Sequence, residues 1–406
     1  MSFAFAIGGL AFLILIHEAG HFLVALAVHM RPRRFYIFFP PALVKRTWKG
    51  IEYGIGSIPL GGYVKIPGMH KPAAGDLESH LARAIEEAPW LEADAAPVER
   101  ALAEDRLADA RAGLRELRAA VGRADLSEPA RRVAERGITE VEDGLSREAY
   151  WQAPTWKRVA VIFAGPGVNL VFAIAALTAV FMLGVPVEAT RTVEAVTVDS
   201  PAARAGLRPG DRILAVGNEQ GPPEELADAI KASEGSRLTV RIERDGRVLE
   251  LRARPRLTEG DYRLGFSFGV REESYGLGES VGRAFEATWE VTKAIGSALG
   301  RIVTGSGRDE VASVVGITAV SSDAAEEGVV DFLLVLAFIS LSLALLNLLP
   351  LLPLDGGHIA FSLAEWIRGR AIPREAYERV SAIGIAIVLF LFFIGLSNDI
   401  DRFRNG

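Results

Sequence analysis

Two histidines and a glutamate lie inside an otherwise apolar run, AFLILIHEAGHFLVALAV, at residues 11–28. On a helix, His17 and His21 are four residues apart and project from the same face, so both can bind one metal ion. Glu18 lies about 100° around the same helix. It is near enough to act on a water molecule at the metal without binding the metal itself. The spacing therefore indicates a metal centre with an adjacent general base.

This His-Glu-x-x-His pattern is typical of zinc metalloproteases. The alternative is a pair of buried histidines that form hydrogen bonds with neighbouring helices. That alternative must explain three ionisable groups in one apolar helix, each of which costs roughly 2.5 kcal/mol or more at membrane depth. We therefore favour the metal site.

A zinc ion in a hydrolase usually has three protein ligands and one position left for water. The best candidate for the third ligand is Asp355 in NLLPLLPLDGGH, residues 347–358, where prolines and glycines break the helix. Non-helical backbone at membrane depth is tolerated where it lines a protein cavity. Asp355 could instead cap a helix, and His358 could be a ligand or an interfacial residue. Asp331 lies at the opposite end of its span, so we predict Asp355 as the ligand.

The composition supports a membrane protein rather than an ordinary soluble one. Half of the 406 residues are hydrophobic, and the mean hydropathy is +0.24. The net charge of −6 gives no sign of nucleic-acid binding. The chain has no cysteine, which excludes disulfides, thiolate nucleophiles and cysteine metal ligands. Any metal must therefore be held by histidine, aspartate or glutamate.

Four segments are long and apolar enough to span a membrane, which takes about 20 residues. They lie within residues 1–30 (with HEAGH), 151–186, 329–358 (with LDGG) and 378–397. The first lacks a cationic start and a small-residue cleavage site, so we interpret it as a retained span rather than a signal peptide. The sequence therefore predicts an α-helical polytopic membrane protein with four transmembrane helices.

Basic residues beside the spans predict the orientation. Clusters at residues 31–49, 157–158 and 368–374 fall on one side of the membrane if both termini are outside. Loops one and three are then cytoplasmic, and loop two is extracytoplasmic. HEAGH and LDGG lie at similar depth, near the cytoplasmic side.

The loops differ in composition. Residues 31–73 alternate apolar and polar side chains with Gly and Pro, which predicts short strands in a membrane-associated β-loop. Residues 74–150 predict two or three charged amphipathic helices in a cytoplasmic insertion. Residues 190–272 predict a small α/β domain with a helix near 224–232. Residues 277–305 predict an amphipathic helix that lies on the membrane surface.

Taken together, these motifs resemble the site-2 protease family of intramembrane zinc metalloproteases, and most closely its regulator-of-sigma-E protease group. GSIPLGGYVKIPGM (56–69) is similar to the family's β-loop, and APTWKRVAVIFAGPGVNLVFAI (153–174) to its second span. DSPAARAGLRPGDRILAVGN (199–218) resembles its PDZ module, and GRIVTGSGRDEVASVVGI (300–317) its pre-span segment. One PDZ module is evident rather than two in tandem, and residues 74–150 have no counterpart in the family pattern.

The resemblance implies a zinc ion (Zn²⁺) held by His17, His21 and Asp355, with Glu18 as the base that accepts a proton from water. It also implies that the substrate helix unwinds and adds to the edge of the β-loop. The implied substrate-binding residues are Gly61, Gly62, Tyr63 and Asn347. From the residues alone, Asn347 could equally form an interhelical hydrogen bond. We interpret Asn169, which follows a Gly-Pro-Gly break, as a packing residue rather than a substrate contact.

The function expected from this resemblance is intramembrane proteolysis at the bacterial inner membrane. The expected substrates are single-span membrane proteins, such as anti-sigma-factor-like proteins, or remnants of signal peptides. The expected surroundings are the lipid bilayer, with no nucleic-acid partner. A metal transporter would need a polar path that spans two and four do not offer. A catalytically inactive scaffold would usually have lost Glu18 or a ligand.

Overall fold

The computed structural model describes residues 2–258, 260–304, 328–372 and 374–405. Four of its helices are long and apolar enough to cross a membrane, as the sequence predicted. These candidate spans are Phe5–Ala27, Thr155–Leu183, Val329–Asn347 and Glu375–Asn398. The chain divides into two compact units. One comprises Met1–Leu177 with Ala284–Gly406, and the other Thr178–Arg283.

The first unit begins with helix α1 (Ser2–Ala27), followed by strands β1 (Arg34–Trp48) and β2 (Ile51–Lys65). Each strand has 15 residues, so the prediction of short strands was wrong in length. The strands fold back on themselves, and residues 34–37 lie between residues 52–55 and 62–65. Among the described residues, the 62–65 segment has a strand partner on one side only. We call this segment the edge strand.

Residues 74–150 contain four helices, more than the two or three predicted: α2 (Glu78–Glu87), α3 (Leu91–Ala103), α4 (Leu107–Arg123) and α5 (Glu128–Leu145). They enclose a hydrophobic core of their own. On α5 the buried side chains recur every three or four residues, the period of an amphipathic helix. They include Ala130, Ala134, Ile138, Val141 and Leu145.

Two ion pairs attach the helical insertion to the β-hairpin. Arg33 donates two hydrogen bonds to Asp143 on α5, and the Lys65 ammonium lies 2.8 Å from a Glu140 carboxylate oxygen. Lys65 is the last residue of the edge strand. The insertion therefore holds the end of this strand. The side chains that do so are far apart in sequence, and their spacing did not predict the contact.

The remaining long helices are α6 (Thr155–Leu183), α9 (Leu277–Thr304), α10 (Val329–Asn347), α11 (Asp355–Arg368) and α12 (Arg374–Asn405). The third predicted segment, residues 329–358, contains a candidate span and then the helix break that its prolines and glycines predicted. Helix α10 ends at Asn347, and Asp355 opens the separate helix α11 because the proline-containing turn cannot continue α10. Residues 305–317, the end of the predicted 277–305 helix and most of the pre-span segment, lie outside the described residues.

The second unit is built on a five-stranded sheet in the order β6-β5-β4-β3-β9. The strands are β3 (Val185–Val196), β4 (Arg212–Val216), β5 (Leu238–Arg244), β6 (Arg247–Ala253) and β9 (Phe266–Glu273). The unit also contains two helices, α7 (Pro201–Ala205) and α8 (Pro223–Ala232). A small two-stranded sheet completes it, formed by β7 (Arg256–Thr258) and β8 (Asp261–Arg263). Helix and sheet residues share one apolar core, which includes Leu226, Ile230 and Ile242.

A buried ion pair fixes the turn that the sequence marks as Pro-Gly-Asp. The Asp211 carboxylate accepts hydrogen bonds from Arg244 Nε at 2.6 Å and from the Arg208 backbone N–H at 2.8 Å. Burial raises the pKa of this carboxyl, but these donors hold it below its usual range. The ion pair therefore stabilises the sheet domain while Asp211 is ionised.

We expect Asp211→Asn to lower the free energy of unfolding of the sheet domain by about 2 kcal/mol, because hydrogen bonds to charged groups are worth about 1.5–3 kcal/mol. A depressed pKa gives stability that is present above the unfolded value of about 3.9 and is lost as the pH falls below it. The variant should lack this acid-sensitive component. Hydrogen exchange of the domain's amides in the whole protein measures both effects.

The matched control is Glu243→Gln, which removes an exposed pair with Arg212 at 3.7 Å. Such pairs contribute up to about 1 kcal/mol and often nothing measurable. Equal losses of stability in the two variants would contradict a special role for Asp211.

Candidate active site

The HEAGH segment lies on the side of α1 that packs against α6. A Cβ atom added at Gly20 would lie 2.5 Å from the Ala164 carbonyl oxygen, so only glycine allows this close approach of the two helices. His21 Nδ1 lies 2.8 Å from the Val161 carbonyl oxygen. That contact orients the ring and leaves Nε2 facing the interior.

Asp355 is the first residue of α11. The two glycines that follow it allow the helix to start against the preceding turn. A Cβ atom at Gly356 would lie 2.2 Å from the Leu348 carbonyl oxygen, and one at Gly357 would lie 2.4 Å from the Leu352 nitrogen. LDGG is therefore a packing motif that carries the Asp355 carboxylate to the HEAGH histidines.

Three donor atoms converge at one point. Nε2 of His17 and Nε2 of His21 are 3.3 Å apart, and Asp355 Oδ2 lies 3.2 Å from the first and 3.4 Å from the second. Ligands of a tetrahedral zinc ion at about 2.0–2.1 Å lie about 3.3 Å from one another. Within the part of the chain that the structure describes, Asp355 Oδ2 is buried and has no hydrogen-bond partner. The donor set and its spacing therefore fit a zinc ion.

Gly165 on α6 leaves the space that the two histidine rings occupy. A Cβ atom at this position would lie 2.3 Å from His21 Nε2 and 2.9 Å from His17 Nε2. The sequence drew attention to the Gly-Pro-Gly break at residues 165–167 but assigned it no part in the site. Glycine is required here because the two histidine rings occupy the place of a side chain.

All eight residues singled out from the sequence line one cavity of about 590 Å³. Three belong to the converging donors and Glu18 is beside them; the others are Gly61, Gly62, Tyr63 and Asn347. A Cβ atom at Gly62 would lie 2.7 Å from Glu18 Cγ, so the backbone of the edge strand contacts the glutamate side chain directly. His358, which the sequence left open, also lines the cavity.

Two residues outside the predicted set hold the site together. The Arg158 guanidinium on α6 forms a buried ion pair with Glu365 on α11. Glu365 also accepts a hydrogen bond from the Ile372 backbone N–H at 2.9 Å. This network fixes the helix that carries Asp355 relative to α6. Neither residue stands out in sequence, because their spacing of 207 positions has no local signature.

Comparisons with known proteins place the chain in a family. The profile of Peptidase family M50 matches residues 5–391. The chain belongs to peptidase family M50. It is therefore a zinc metalloprotease of the site-2 protease family, with helices suited to the membrane.

Curated relatives of this M50 chain span nearly its whole length. A protein of Brucella suis named as a zinc metalloprotease is 29% identical over 96% of this chain and 93% of its own length. The regulator of sigma-W protease RasP of Bacillus subtilis is 27% identical over 96% of both chains. Metalloprotease MmpA of Caulobacter vibrioides is 26% identical over 97% of this chain and 94% of its own.

In this M50 chain, we expect Gly165→Ala to weaken zinc binding about 10- to 100-fold, the range seen when groups around metal ligands are changed. The added methyl must displace at least one imidazole. Competition with a chromophoric chelator measures the affinity. Gly8→Ala on α1 is the control, because a Cβ atom there meets nothing within 4 Å. Wild-type affinity in Gly165→Ala would show that the ion lies elsewhere.

Proposed function

We propose that this zinc protease hydrolyses a peptide bond within the transmembrane segment of single-span membrane proteins. The observation that carries the proposal is the convergence of His17, His21, Asp355 and Glu18 in one cavity beside the edge strand. Two of the helices that bring them together, α1 and α6, are candidate membrane spans. A cavity lined in part by such helices supports hydrolysis at membrane depth.

His17, His21 and Asp355 would hold the zinc ion. When bound, zinc polarises the scissile carbonyl and lowers the pKa of water toward neutrality. Glu18 accepts a proton from the attacking water and then donates a proton to the leaving amine. The contact between Gly62 and Glu18 brings the edge strand within reach of this base.

The unwound substrate would pair with the edge strand and so become an additional strand of the sheet. A helical peptide bond is shielded, so an extended conformation must precede attack. Gly61 and Gly62 have no side chains to block an approaching backbone. Tyr63, which stacks on Tyr36 with ring centroids 5.2 Å apart, and Asn347 border the same cavity. We assign these four residues to substrate binding.

The setting we propose is the bacterial inner membrane, with both termini and the sheet domain extracytoplasmic and the active site near the cytoplasmic side. The basic residues beside the spans support this orientation. The name of RasP, a regulator of sigma-W protease, supports anti-sigma-factor-like substrates. Signal-peptide remnants are the other proposed class. The reaction would be the second cut, made after an outer domain has been removed.

We propose that the sheet domain is a PDZ-like filter for substrates whose outer domains have been trimmed. Deleting residues 192–268 should leave zinc binding intact and allow cleavage of untrimmed substrates. The remaining ends can be joined, because Thr190 Oγ1 donates to the Gly269 carbonyl oxygen at 3.0 Å. Cleavage of trimmed and untrimmed substrates by the shortened enzyme measures selection. An equal loss of both activities would contradict the filter.

The proposed function is tested with purified protein in liposomes and a panel of single-span substrates, whose fragments are identified by mass spectrometry. We expect a cut inside the apolar segment that is lost with a chelator and restored by zinc. A cut confined to the loops outside the apolar segment, or cleavage that persists without zinc, would overturn the proposal.

A further inference from the structure

Asn169 on α6 is completely buried beside the candidate zinc site. Its side-chain Nδ2 lies 3.4 Å from Nδ1 of His17, and its Oδ1 has no hydrogen-bond partner among the described residues. The Asn169 backbone carbonyl accepts a hydrogen bond from Ser340 Oγ on α10 at 2.9 Å. The side-chain amide is therefore directed at a histidine ring, and the backbone is held within helix α6.

The histidine geometry determines which atom should face Asn169. Nε2 of His17 points to the other two donor atoms, so Nε2 is the atom that would bind zinc. A neutral histidine that binds through Nε2 carries its proton on Nδ1, and this N–H needs an acceptor. An amide NH₂ group cannot accept. The ring and the amide would then present two donors to each other while Oδ1 stays unpaired.

A rotation of the Asn169 amide by 180° removes the contact between two donors and gives Oδ1 a partner, and it moves the NH₂ group to the position that Oδ1 now occupies. It exchanges the positions of Nδ2 and Oδ1 and leaves the shape of the side chain almost unchanged. Oδ1 then accepts from His17 Nδ1–H, and the unpaired buried oxygen gains its partner. His21 already has an equivalent acceptor in the Val161 carbonyl oxygen. Helix α6 would therefore provide the acceptor for each histidine.

We infer that Asn169 is a positioning residue, whose side-chain carbonyl accepts from His17 Nδ1–H and holds Nε2 ready to bind zinc. This inference rests on the proposed function, because it takes His17 as a zinc ligand. It assigns a role in the zinc site to a residue that sequence alone suggested was only packing. The role requires an oxygen acceptor and not merely a side chain of similar volume.

The test compares the zinc affinity of three variants of the whole protein, measured by competition with a chromophoric chelator. Asn169→Leu and Asn169→Ala remove the acceptor, and both should bind zinc about 10- to 100-fold more weakly. Asn169→Asp keeps an acceptor oxygen and lacks the NH₂ group, so its affinity should stay within about threefold of wild type. In the cobalt-substituted proteins, the d–d absorption of Asn169→Asp should match wild type.

Ser340→Ala is the matched control, because it removes a buried hydrogen bond to the Asn169 backbone and leaves the side chain in place. Its zinc affinity should equal that of wild type. Thermal unfolding of each metal-free variant separates loss of fold from loss of metal. If Asn169→Leu does not fold, Asn169→Ala and Asn169→Asp still differ in the acceptor.

Wild-type zinc affinity in folded Asn169→Ala would overturn the inference and leave the proposed function standing. An equal loss of affinity in Asn169→Asp and Asn169→Ala would also overturn it, since the amide would then act by packing or as a donor. A wild-type chain that cleaves with no zinc bound to the His17, His21 and Asp355 site would overturn both.

Discussion

Replacement of Glu18 by glutamine is expected to lower the rate of proteolysis by about 10²- to 10⁴-fold, the contribution typical of a positioned general base. Glutamine has nearly the same shape but cannot accept the proton from water. The three donor atoms converge without Glu18, so zinc should stay near one per chain. Cleavage of a liposome-bound substrate and metal analysis of the same preparation measure both quantities.

The control for this variant is Glu78→Gln, which makes the same chemical change at an exposed position of the helical insertion. Its activity and zinc content should equal those of wild type. If Glu18→Gln keeps more than a few per cent of wild-type activity, Glu18 is not the general base. A loss of zinc from Glu18→Gln would instead make Glu18 a ligand.

Replacement of Asp355 by asparagine should remove zinc and activity together. The carboxylate offers a charged oxygen to the site, whereas the asparagine amide is neutral and a poor zinc ligand. Changes around metal ligands cost 10- to 100-fold in affinity, and the loss of a ligand should cost at least about 100-fold. Chelator competition and substrate cleavage check the two losses.

Asp331→Asn is the matched control, because Asp331 lies in the first turn of α10, the other acidic position considered for the third span. It should bind zinc as tightly as wild type. Full zinc content in folded Asp355→Asn would mean that the two histidines find their third ligand elsewhere. Asp355 on α11 would then not share a zinc ion with the histidines on α1.

The residues of the candidate zinc site were the easiest to recognise in the sequence, because each of the two motifs is local. His17 and His21 are one helical turn apart, and the glycines after Asp355 mark a break in the chain. Although 334 positions separate His21 from Asp355, Asp355 was predicted as the third ligand because it lies in a helix break at membrane depth, and the family resemblance implied the same set. The helix break before Asp355 was predicted from the surrounding prolines and glycines, whereas the residue at which α10 ends was not.

The contributions of α6 to the site were the least predictable. Asn169 and Gly165 act through contacts with α1, and nothing local in the sequence reveals which face of α6 meets the histidines. The number of helices in residues 74–150 was also underestimated. Their connections are only three or four residues long, so neighbouring amphipathic patterns merge.

The strand lengths in the β-loop were missed for a related reason. Glycines at positions such as Gly54 and Gly56 suggested turns, yet both lie within β2. A Cβ atom at Gly54 would lie 2.4 Å from the Tyr36 ring, so this glycine makes room for an aromatic side chain across the sheet. Sequence shows the absence of a side chain there but does not show what occupies the space.

The most direct test of the zinc centre is zinc K-edge X-ray absorption of the purified wild-type protein, with one zinc bound per chain. We predict nitrogen and oxygen neighbours at about 2.0–2.1 Å, with multiple scattering from two imidazole rings. Full zinc occupancy with fewer than two imidazole rings would contradict the centre formed by His17, His21 and Asp355.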